Sequence, residues 1–214
     1  MVKFPRLLYS MIAVIGILTL FFSLQQLILA GPYEPMAGDI LFHTSESRQS
    51  VAIQRATGSR YTHMGIVTLQ SGRPFVYEAV GPVKLTPLQE WVDRGKGGHY
   101  VAKRLKSHRD GVPAATKAAL ERAGRRYAGA DYDLYFEWSD QRIYCSELIW
   151  KIFKEGLGVE LAPLRKLESF DLNDPIVRKI ARERWGDSPP LNEPVISPVA
   201  LFRSSHLRTV FAGS

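Results

Sequence analysis

Cys145 is the residue of this chain best suited to nucleophilic chemistry, and it is the chain's single cysteine. A thiol attacks as the thiolate, and free cysteine ionises near pH ~8.5, so a catalytic cysteine needs an electropositive position and a base beside it. Cys145 opens a predicted helix, where unpaired backbone N–H groups and the helix dipole favour negative charge. Two alternatives stay open: a small buried hydrophobe at Cys145, or Ser146 as a hydroxyl nucleophile without an elbow motif.

His63 is the best candidate for the base, because it lies inside an apolar predicted strand where an imidazole has no packing advantage. A purely structural histidine is the alternative. No two histidines have the spacing of metal ligands and there is no second cysteine, so no zinc site is predicted. The other four histidines lie near the ends of predicted elements or among polar neighbours: His43, His99, His108 and His206.

A predicted β-hairpin places Glu78 beside His63. A turn at residues 71–72 joins the two strands and sets Gly65 opposite Glu78. Residues two apart on a strand share a face, so His63 and Glu78 point the same way as diagonal neighbours, about 7–8 Å apart at the backbone. Gly65 leaves room for both side chains. A turn of odd length would reverse this parity and leave Glu78 as an ordinary strand residue facing solvent.

Apolar periodicity and turn residues predict the elements that position these side chains. Thr86 is predicted as a helix N-cap, and the helix that Cys145 begins carries Glu147, Lys151 and Lys154 on its polar face. Helices mixed with hairpin-connected strands favour an α+β fold with an antiparallel sheet. The predicted strands cover residues 40–42, 61–69, 75–80 and 99–105, the helices cover 47–57, 86–92, 113–127 and 145–153, and a proline-rich irregular arm begins at 187.

The first thirty residues predict a segment that meets a membrane. Lys3 and Arg6 precede an uncharged stretch, residues 7–33, whose densest apolar part has 16 residues. That is close to the top of the range for a signal-peptide core, roughly 7–15. Residues 7–30 reach the ~20 residues that span a bilayer and would associate with it. Residues 1–30 are therefore predicted as a signal peptide or a signal anchor, with a buried core helix as the alternative.

The basic start of this segment predicts that the domain formed by residues 31–214 faces out of the cytoplasm, either periplasmic or membrane-anchored. An unpaired thiol is unusual in an exported protein, which is a second reason to expect Cys145 to be reactive.

The net charge of +7, from 28 basic and 21 acidic residues, is scattered along the chain. No recognised nucleic-acid motif accompanies it, so nucleic acid is not a predicted partner. Cell-envelope polymers and anionic lipid head groups are the expected attractors. Two short basic patches fall on predicted helices among acidic residues and are predicted to be solvated faces: Arg122/Arg125/Arg126 and Arg178/Lys179/Arg182/Arg184.

Short motifs follow one another in a fixed order from residue 38 to about 202. Together they resemble the YiiX-like branch of the circularly permuted NlpC-type papain-like cysteine hydrolases. The resemblance implies a permuted papain-like α+β fold whose antiparallel sheet packs on the helix that carries the cysteine. The motifs are Gly38-Asp39-Ile40-Leu41-Phe42, Tyr61-Thr62-His63-Met64-Gly65-Ile66-Val67, Tyr77-Glu78-Ala79-Val80-Gly81-Pro82-Val83, Tyr132-Asp133, Trp138-Ser139-Asp140 and Tyr144-Cys145-Ser146-Glu147-Leu148.

The resemblance also implies roles for five residues. In that family the histidine and the third polar residue precede the cysteine, which is the order found here. It implies Cys145 as nucleophile, His63 as base and Glu78 as the group that orients the base. Tyr132 and Tyr144 match positions that line the cleft. No cofactor is implied.

The predicted reaction is hydrolysis of an amide through a thioester acyl-enzyme, with backbone N–H groups near the helix start holding the oxyanion. The predicted substrate is an envelope amide, in a cell-wall peptide or a small acyl-amino-acid compound. The membrane leader and basic charge also favour an acyl hydrolase or transferase acting on lipid esters or amides. A catalytically idle envelope-binding module is the third alternative, because fold does not choose among functions.

Overall fold

The strand that bears the histidine lies inside a six-stranded antiparallel sheet. The computed structural model describes residues 33–108 and 111–214. The strands of this sheet are β1 (Ile40–Ser45), β2 (His63–Gln70), β3 (Arg73–Ala79), β4 (Val83–Pro87), β5 (Gly95–Leu105) and β10 (Leu207–Gly213), in the order β10-β5-β1-β2-β3-β4. Two small two-stranded sheets pair β6 (Asp131–Tyr132) with β7 (Arg142–Ile143) and β8 (Arg165–Lys166) with β9 (Pro194–Val195).

The β2–β3 hairpin has the register that the sequence predicts. Its ladder runs from Gln70 opposite Arg73 to Ile66 opposite Tyr77, which confirms the even turn. The predicted place for Gly65 is also confirmed, because a Cβ there would lie 3.3 Å from the Glu78 Cβ and 2.3 Å from a Val76 methyl. Glycine at this position therefore lets the two strands approach with Glu78 on the inner face.

Helix α4 packs on the sheet and forms the centre of the core. It contacts β2, β3 and α3, and its Leu148 and Ile152 are buried with Phe42 and Met64 of the sheet. The predicted α+β fold, an antiparallel sheet on the cysteine-bearing helix, is confirmed. The helices are α1 (Arg48–Thr57), α2 (Leu88–Asp93), α3 (Ala114–Arg125), α4 (Cys145–Leu157), α5 (Pro175–Trp185) and α6 (Pro198–Phe202), with short 3₁₀ turns at Lys106–His108 and Leu167–Ser169.

The polar face of α4 lies mostly inside the protein. Glu147 and Lys151 are both buried and form an i, i+4 ion pair of 2.8 Å between Oε1 and Nζ. Lys151 also donates to Asp140 Oδ1 at 2.7 Å. Only Lys154 of the three predicted polar residues is exposed, and it pairs with Glu160 at 3.1 Å.

The prediction of Thr86 as a helix N-cap is wrong. Thr86 lies in β4 and is buried, and the residue that precedes α2 is Pro87, which makes no side-chain cap. The Thr86 hydroxyl donates instead to Glu78, 2.6 Å away. A buried carboxylate attracts a hydroxyl donor more strongly than a solvent-facing helix end does.

The C-terminal arm, predicted to be irregular, is partly regular. Its proline-rich part includes β9 and α6, but residues 207–213 contain no proline and form β10, which pairs with β5 at the sheet edge. Residues 35–214 form one compact unit. The predicted leader, residues 1–30, lies outside the described residues, and none of the described helices is long and apolar enough to cross a bilayer.

Candidate active site

Cys145 is the first residue of α4 and is almost fully buried, at 2% exposure. The backbone of Tyr144 before it is extended, with φ −101° and ψ 166°, so the helix begins at the cysteine. The Tyr144 N–H donates to Glu147 Oε2 at 3.4 Å, which ties the chain to the first turn. Unpaired N–H groups of a first helical turn favour an anion beside them.

His63, at the start of β2, joins Cys145 to Glu78. The His63 Nε2 lies 2.6 Å from Glu78 Oε2, and the imidazole also hydrogen-bonds the Cys145 side chain. The carboxylate occupies Nε2 and leaves Nδ1 as the ring nitrogen available to the sulfur. The structure thus brings the three predicted catalytic residues together in the order nucleophile, base and orienting group.

Glu78 is held as a buried carboxylate by donors from three separate segments of the chain. Besides His63, Thr86 Oγ1 donates to its Oε1 at 2.6 Å and the Arg94 guanidinium forms an ion pair with the same oxygen. Burial by itself raises the pKa of Glu78, but hydrogen bonds from His63 and Thr86 and the charges of His63 and Arg94 outweigh it and lower the pKa to about 2. Glu78 is therefore ionised at neutral pH.

His63 is held as an imidazolium. Burial lowers its pKa, but hydrogen bonds to Cys145 and Glu78, together with their negative charge, outweigh burial and raise the pKa to about 9. At neutral pH both ring nitrogens then carry protons, one donated to the Glu78 carboxylate and one to the Cys145 sulfur.

Tyr132, predicted to line the cleft, lies beside Cys145 in a chain of polar side chains. Its hydroxyl oxygen accepts from Gln49 Nε2 at 3.1 Å, and Gln49 Oε1 accepts from Arg184 Nη2 at 3.0 Å. Burial, then the negative charge at Cys145, hold the pKa of Tyr132 well above its usual range. Tyr132 therefore keeps its proton, and this hydroxyl also hydrogen-bonds Cys145.

Tyr144, the second predicted cleft residue, is buried at 1% exposure. Its hydroxyl accepts from the Ile196 N–H at 3.1 Å, and its ring packs edge-on against Phe136 with 5.1 Å between centroids. Ser146, the alternative nucleophile, donates its hydroxyl to the Ile196 carbonyl at 2.8 Å. Both hydroxyls are thus engaged with the backbone of the C-terminal arm.

Two openings border the Cys145–His63 pair. Cys145 lines an apolar cavity between α1 and α5, with Tyr144 in its wall. His63 lines a separate cleft together with Thr62 and Tyr132, and the wall of this cleft has more polar side chains than that of the cavity. Gln49 of α1 borders both openings.

Four supporting residues of the site were missed from the sequence: Gln49, Thr86, Arg94 and Arg184. A register signal existed for Thr86, because it pairs with Val76, two residues from Glu78 on the same face of the sheet. The prediction that the patch containing Arg184 is a solvated face is wrong at that residue, because its guanidinium turns inward to Gln49. Arg94 is positioned by the end of a short helix, for which the sequence has no clear signal.

An antiparallel sheet that presents a histidine to a cysteine at the start of a buried helix defines a papain-like cysteine hydrolase. The chain belongs to the permuted papain-like amidases, because residues 34–211 match the family described as "Permuted papain-like amidase enzyme, YaeF/YiiX, C92 family". The resemblance found in the sequence motifs is confirmed. The protein is a member of a cysteine hydrolase family of the amidase type.

Two similar proteins agree with this assignment. The uncharacterized protein YiiX of Escherichia coli strain K12 is 42% identical over 191 residues, which are 89% of this chain and 93% of that protein. The crystal structure of yiiX from Escherichia coli O157:H7 superposes with a TM-score of 0.81 at 42% identity, over 85% of this chain and 99% of that one.

The yiiX crystal structure is described as that of a metalloprotein. In residues 33–108 and 111–214 of the present chain, no group of three or more His, Cys, Asp or Glu side chains is placed to hold a metal ion. His63 and Glu78 are already bound to each other, and Cys145 faces His63. The described residues therefore do not fit a metal site built from such side chains.

Proposed function

We propose that the protein hydrolyses an amide by transferring its acyl group to Cys145, with His63 as the acid–base and Glu78 as the group that orients and charges it. The observation that carries this proposal is the buried chain of hydrogen bonds from Cys145 through His63 to Glu78, with 2.6 Å between Nε2 and Oε2. A nucleophile, a base within reach and a third group behind the base are the parts that covalent acyl transfer needs.

The reaction proceeds in two halves. In the resting pair the thiol proton already lies on His63, so the Cys145 sulfur attacks as the thiolate and bonds to the carbonyl carbon. As the C–N bond breaks, His63 gives this proton to the leaving nitrogen, and a neutral amine departs from the thioester. Water then loses a proton to His63 and attacks the thioester carbon. The C–S bond breaks, the carboxylic acid leaves, and the thiolate of Cys145 is again paired with protonated His63.

Oxyanion stabilisation falls to donors around the start of α4. The backbone N–H groups of its first turn are the donors expected from the sequence. Tyr132 is a further donor in this proposal, because its oxygen accepts from Gln49 and its own proton is directed to an acceptor at Cys145. Arg184 fixes the Gln49 amide, since a guanidinium only donates and must face Oε1.

The proposed substrate is an amide of the cell envelope, in a cell-wall peptide or a small acyl-amino-acid compound. Lipid acyl hydrolysis or transfer is a second candidate, favoured by the apolar cavity at Cys145. Incubation of the purified protein with defined muropeptides, N-acyl amino acids and phospholipids tests the three substrate classes. Release of an amine and a carboxylic acid, with an acyl adduct on Cys145 by intact mass, is the expected result.

Two variants control this screen. Cys145→Ala should abolish both turnover and the adduct, whereas Ser146→Ala should keep them, because its hydroxyl is bonded to the Ile196 carbonyl. Free fatty acid from phospholipid would favour the second candidate. Turnover that survives Cys145→Ala would remove the cysteine from the mechanism. No turnover and no thiol reactivity would favour an envelope-binding module.

We also propose that the catalytic domain lies outside the cytoplasm. The support is the sequence of the leader, in which Lys3 and Arg6 precede the uncharged residues 7–33. A reporter fused after Ser214 should be active only outside the cytoplasm, and the mass of the mature protein should distinguish a cleaved signal from an anchor. A reporter active in the cytoplasm would refute this topology.

A further inference from the structure

We propose that the apolar cavity beside Cys145 binds the acyl half of the substrate, and that this half is an aliphatic chain joined to an amine through an amide bond. The inference rests on the proposed function, because it assigns the two sides of the bond that Cys145 attacks. It narrows the substrate to amides with an aliphatic acyl group.

The cavity lies between α1 and α5 and ends at Cys145. Its volume is about 90 Å³, smaller than the roughly 300–1,000 Å³ of pockets that hold a whole ligand, so it has room for one narrow group of the substrate. Small and aliphatic side chains form the two facing walls: Ala52, Ile53 and Ala56 from α1, and Val177, Ile180 and Ala181 from α5.

The cavity offers little to a polar ligand. Among the described residues that line it, Arg184 is the one charged side chain, and its guanidinium already donates to Gln49 at 3.0 Å and lies 5.4 Å from the Phe136 ring centroid. The Ser146 hydroxyl is bonded to the backbone. A polar peptide would lose its hydration there without gaining partners. An aliphatic chain is stabilised by the same burial.

The chemistry of the catalytic pair determines which half of the substrate enters the cavity. His63 must reach the departing nitrogen, so the amine leaves on the His63 side, through the cleft lined by Ser47, Thr62 and Tyr132. The acyl carbon is bonded to the Cys145 sulfur, so the remainder of the acyl group extends away from His63. In the thioester R–CO–S, the group R then occupies the apolar cavity while the amine and its added proton depart.

The test uses chloromethyl ketones, R–CO–CH₂Cl, with R from methyl to nonyl, on the purified full-length chain. The Cys145 sulfur bonds to the methylene carbon and chloride leaves, so labelling by intact mass does not depend on turnover. Each methylene that enters the cavity should raise the second-order labelling rate about threefold to fourfold, so about four methylenes inside the cavity should raise it about a hundredfold. Iodoacetamide is the chainless reference.

A matched pair of variants locates the effect. Ala181→Phe fills the cavity wall on α5 and should abolish the preference for long over short reagents, whereas Ala118→Phe, on the exposed face of α3, should retain it. A melting curve for each variant shows that it is folded. The wild-type length series stands as a test even if Ala181→Phe fails to fold.

The outcomes separate this inference from the proposed function. Rapid labelling of Cys145 that does not depend on chain length would overturn the acyl cavity and leave the nucleophile intact. No labelling of Cys145 by any reagent, including iodoacetamide, would overturn the proposed function and the cavity assignment with it.

Two amides with the same acyl chain but different amines distinguish a soluble substrate from a membrane lipid. Decanoyl amides are offered as soluble N-decanoylglycine and as N-decanoyl phosphatidylethanolamine in vesicles, and released decanoate is measured. Cleavage of the first indicates an acyl amino acid and cleavage of the second a membrane lipid, and either supports an aliphatic acyl group. Cleavage of acetylated counterparts at equal or higher kcat/KM would contradict it.

Discussion

His63 and His43 face each other across β1 and β2, with ring centroids 5.2 Å apart, yet they have opposite environments. His63 contacts the Glu78 carboxylate and Cys145, and its pKa is raised to about 9. His43 stacks on Trp91, 4.0 Å between centroids, and burial, followed by the charge of His63, lowers its pKa to about 3. Neither ring nitrogen of His43 has a hydrogen-bond partner among the described residues.

The difference between the two histidines comes from two hydrogen-bond partners, Cys145 and Glu78, which only His63 has. Burial disfavours the charged form of either imidazole, and only the one bonded to Glu78 and Cys145 is compensated. Strand position and apolar neighbours are shared by both, so they do not distinguish the proposed acid–base, His63, from His43. Substitutions at and around the two histidines should change this contrast, and the largest effect is expected at Glu78.

Replacing the Glu78 carboxylate should reduce the pKa difference between His63 and His43, and it should lower turnover more than the other substitutions. Glu78→Gln keeps the volume but loses the charge that stabilises imidazolium and can impose the wrong tautomer, so kcat/KM should fall on the order of 10²–10⁴-fold. The double variant with His63→Ala should lose little more than His63→Ala alone, because residues that act as a unit are non-additive. Kinetics with a melting curve for each variant measure this. Near-native turnover in folded Glu78→Gln would remove Glu78 from the site, with Asp133 and Asp140 the next candidates.

The pH dependence of turnover should report the raised pKa of His63. The leaving amine needs the imidazolium proton, so kcat/KM should fall as pH rises through about 9. In Glu78→Gln the alkaline loss of the residual kcat/KM should occur at a lower pH than in wild type, because the carboxylate that favours the charged ring is gone. The free energy of unfolding should depend on pH in the same direction as turnover. The contribution of His63 to stability is complete below its ordinary pKa of 6.5 and is lost as pH rises through about 9. An unchanged alkaline limb in Glu78→Gln would contradict the assignment.

Removing one donor behind the carboxylate should have an intermediate effect. Thr86→Val leaves Glu78 without a 2.6 Å hydrogen bond, and hydrogen bonds to charged groups contribute about 1.5–3 kcal/mol. Chemical denaturation should show a loss of that size, while Thr86→Ser, which keeps the hydroxyl, should remain close to wild type. Equal losses in both variants would indicate a packing role for Thr86.

The smallest effect is expected at the other histidine. His43→Phe keeps the stacking on Trp91 and removes two ring nitrogens that have no partner among the described residues. Swaps of similar volume usually cost less than about 1.5 kcal/mol, so the free energy of unfolding and kcat/KM should stay far nearer to wild type than in Glu78→Gln. A loss of turnover comparable to that of Glu78→Gln, in folded protein, would show that His43 takes part in the reaction.

The sequence was sufficient where local geometry decides the outcome. The even number of residues in the hairpin turn was enough to place Glu78 on the same face of the sheet as His63, and Gly65 marked the close approach between the strands. The start of α4 at Cys145 followed from the apolar periodicity after it. Motif order completed the family assignment.

The remaining features depend on contacts between distant segments, which local patterns do not encode. Thr86 satisfies a helix-cap pattern, yet it bonds a carboxylate that reaches it only in the folded sheet. Arg184 lies among solvated basic residues of α5 and turns inward because Gln49 of α1 faces it. The edge strand β10 forms because β5 offers it unpaired backbone groups.

The rate at which iodoacetamide modifies Cys145 at neutral pH tests the central claim most directly, because an imidazolium bonded to the sulfur enriches thiolate. Intact mass is followed for wild-type protein, for His63→Ala and for a model thiol such as glutathione. Wild-type Cys145 should react much faster than the model thiol, and His63→Ala should lose that advantage while it remains folded. Labelling of folded wild-type protein at or below the rate of the model thiol would contradict the account.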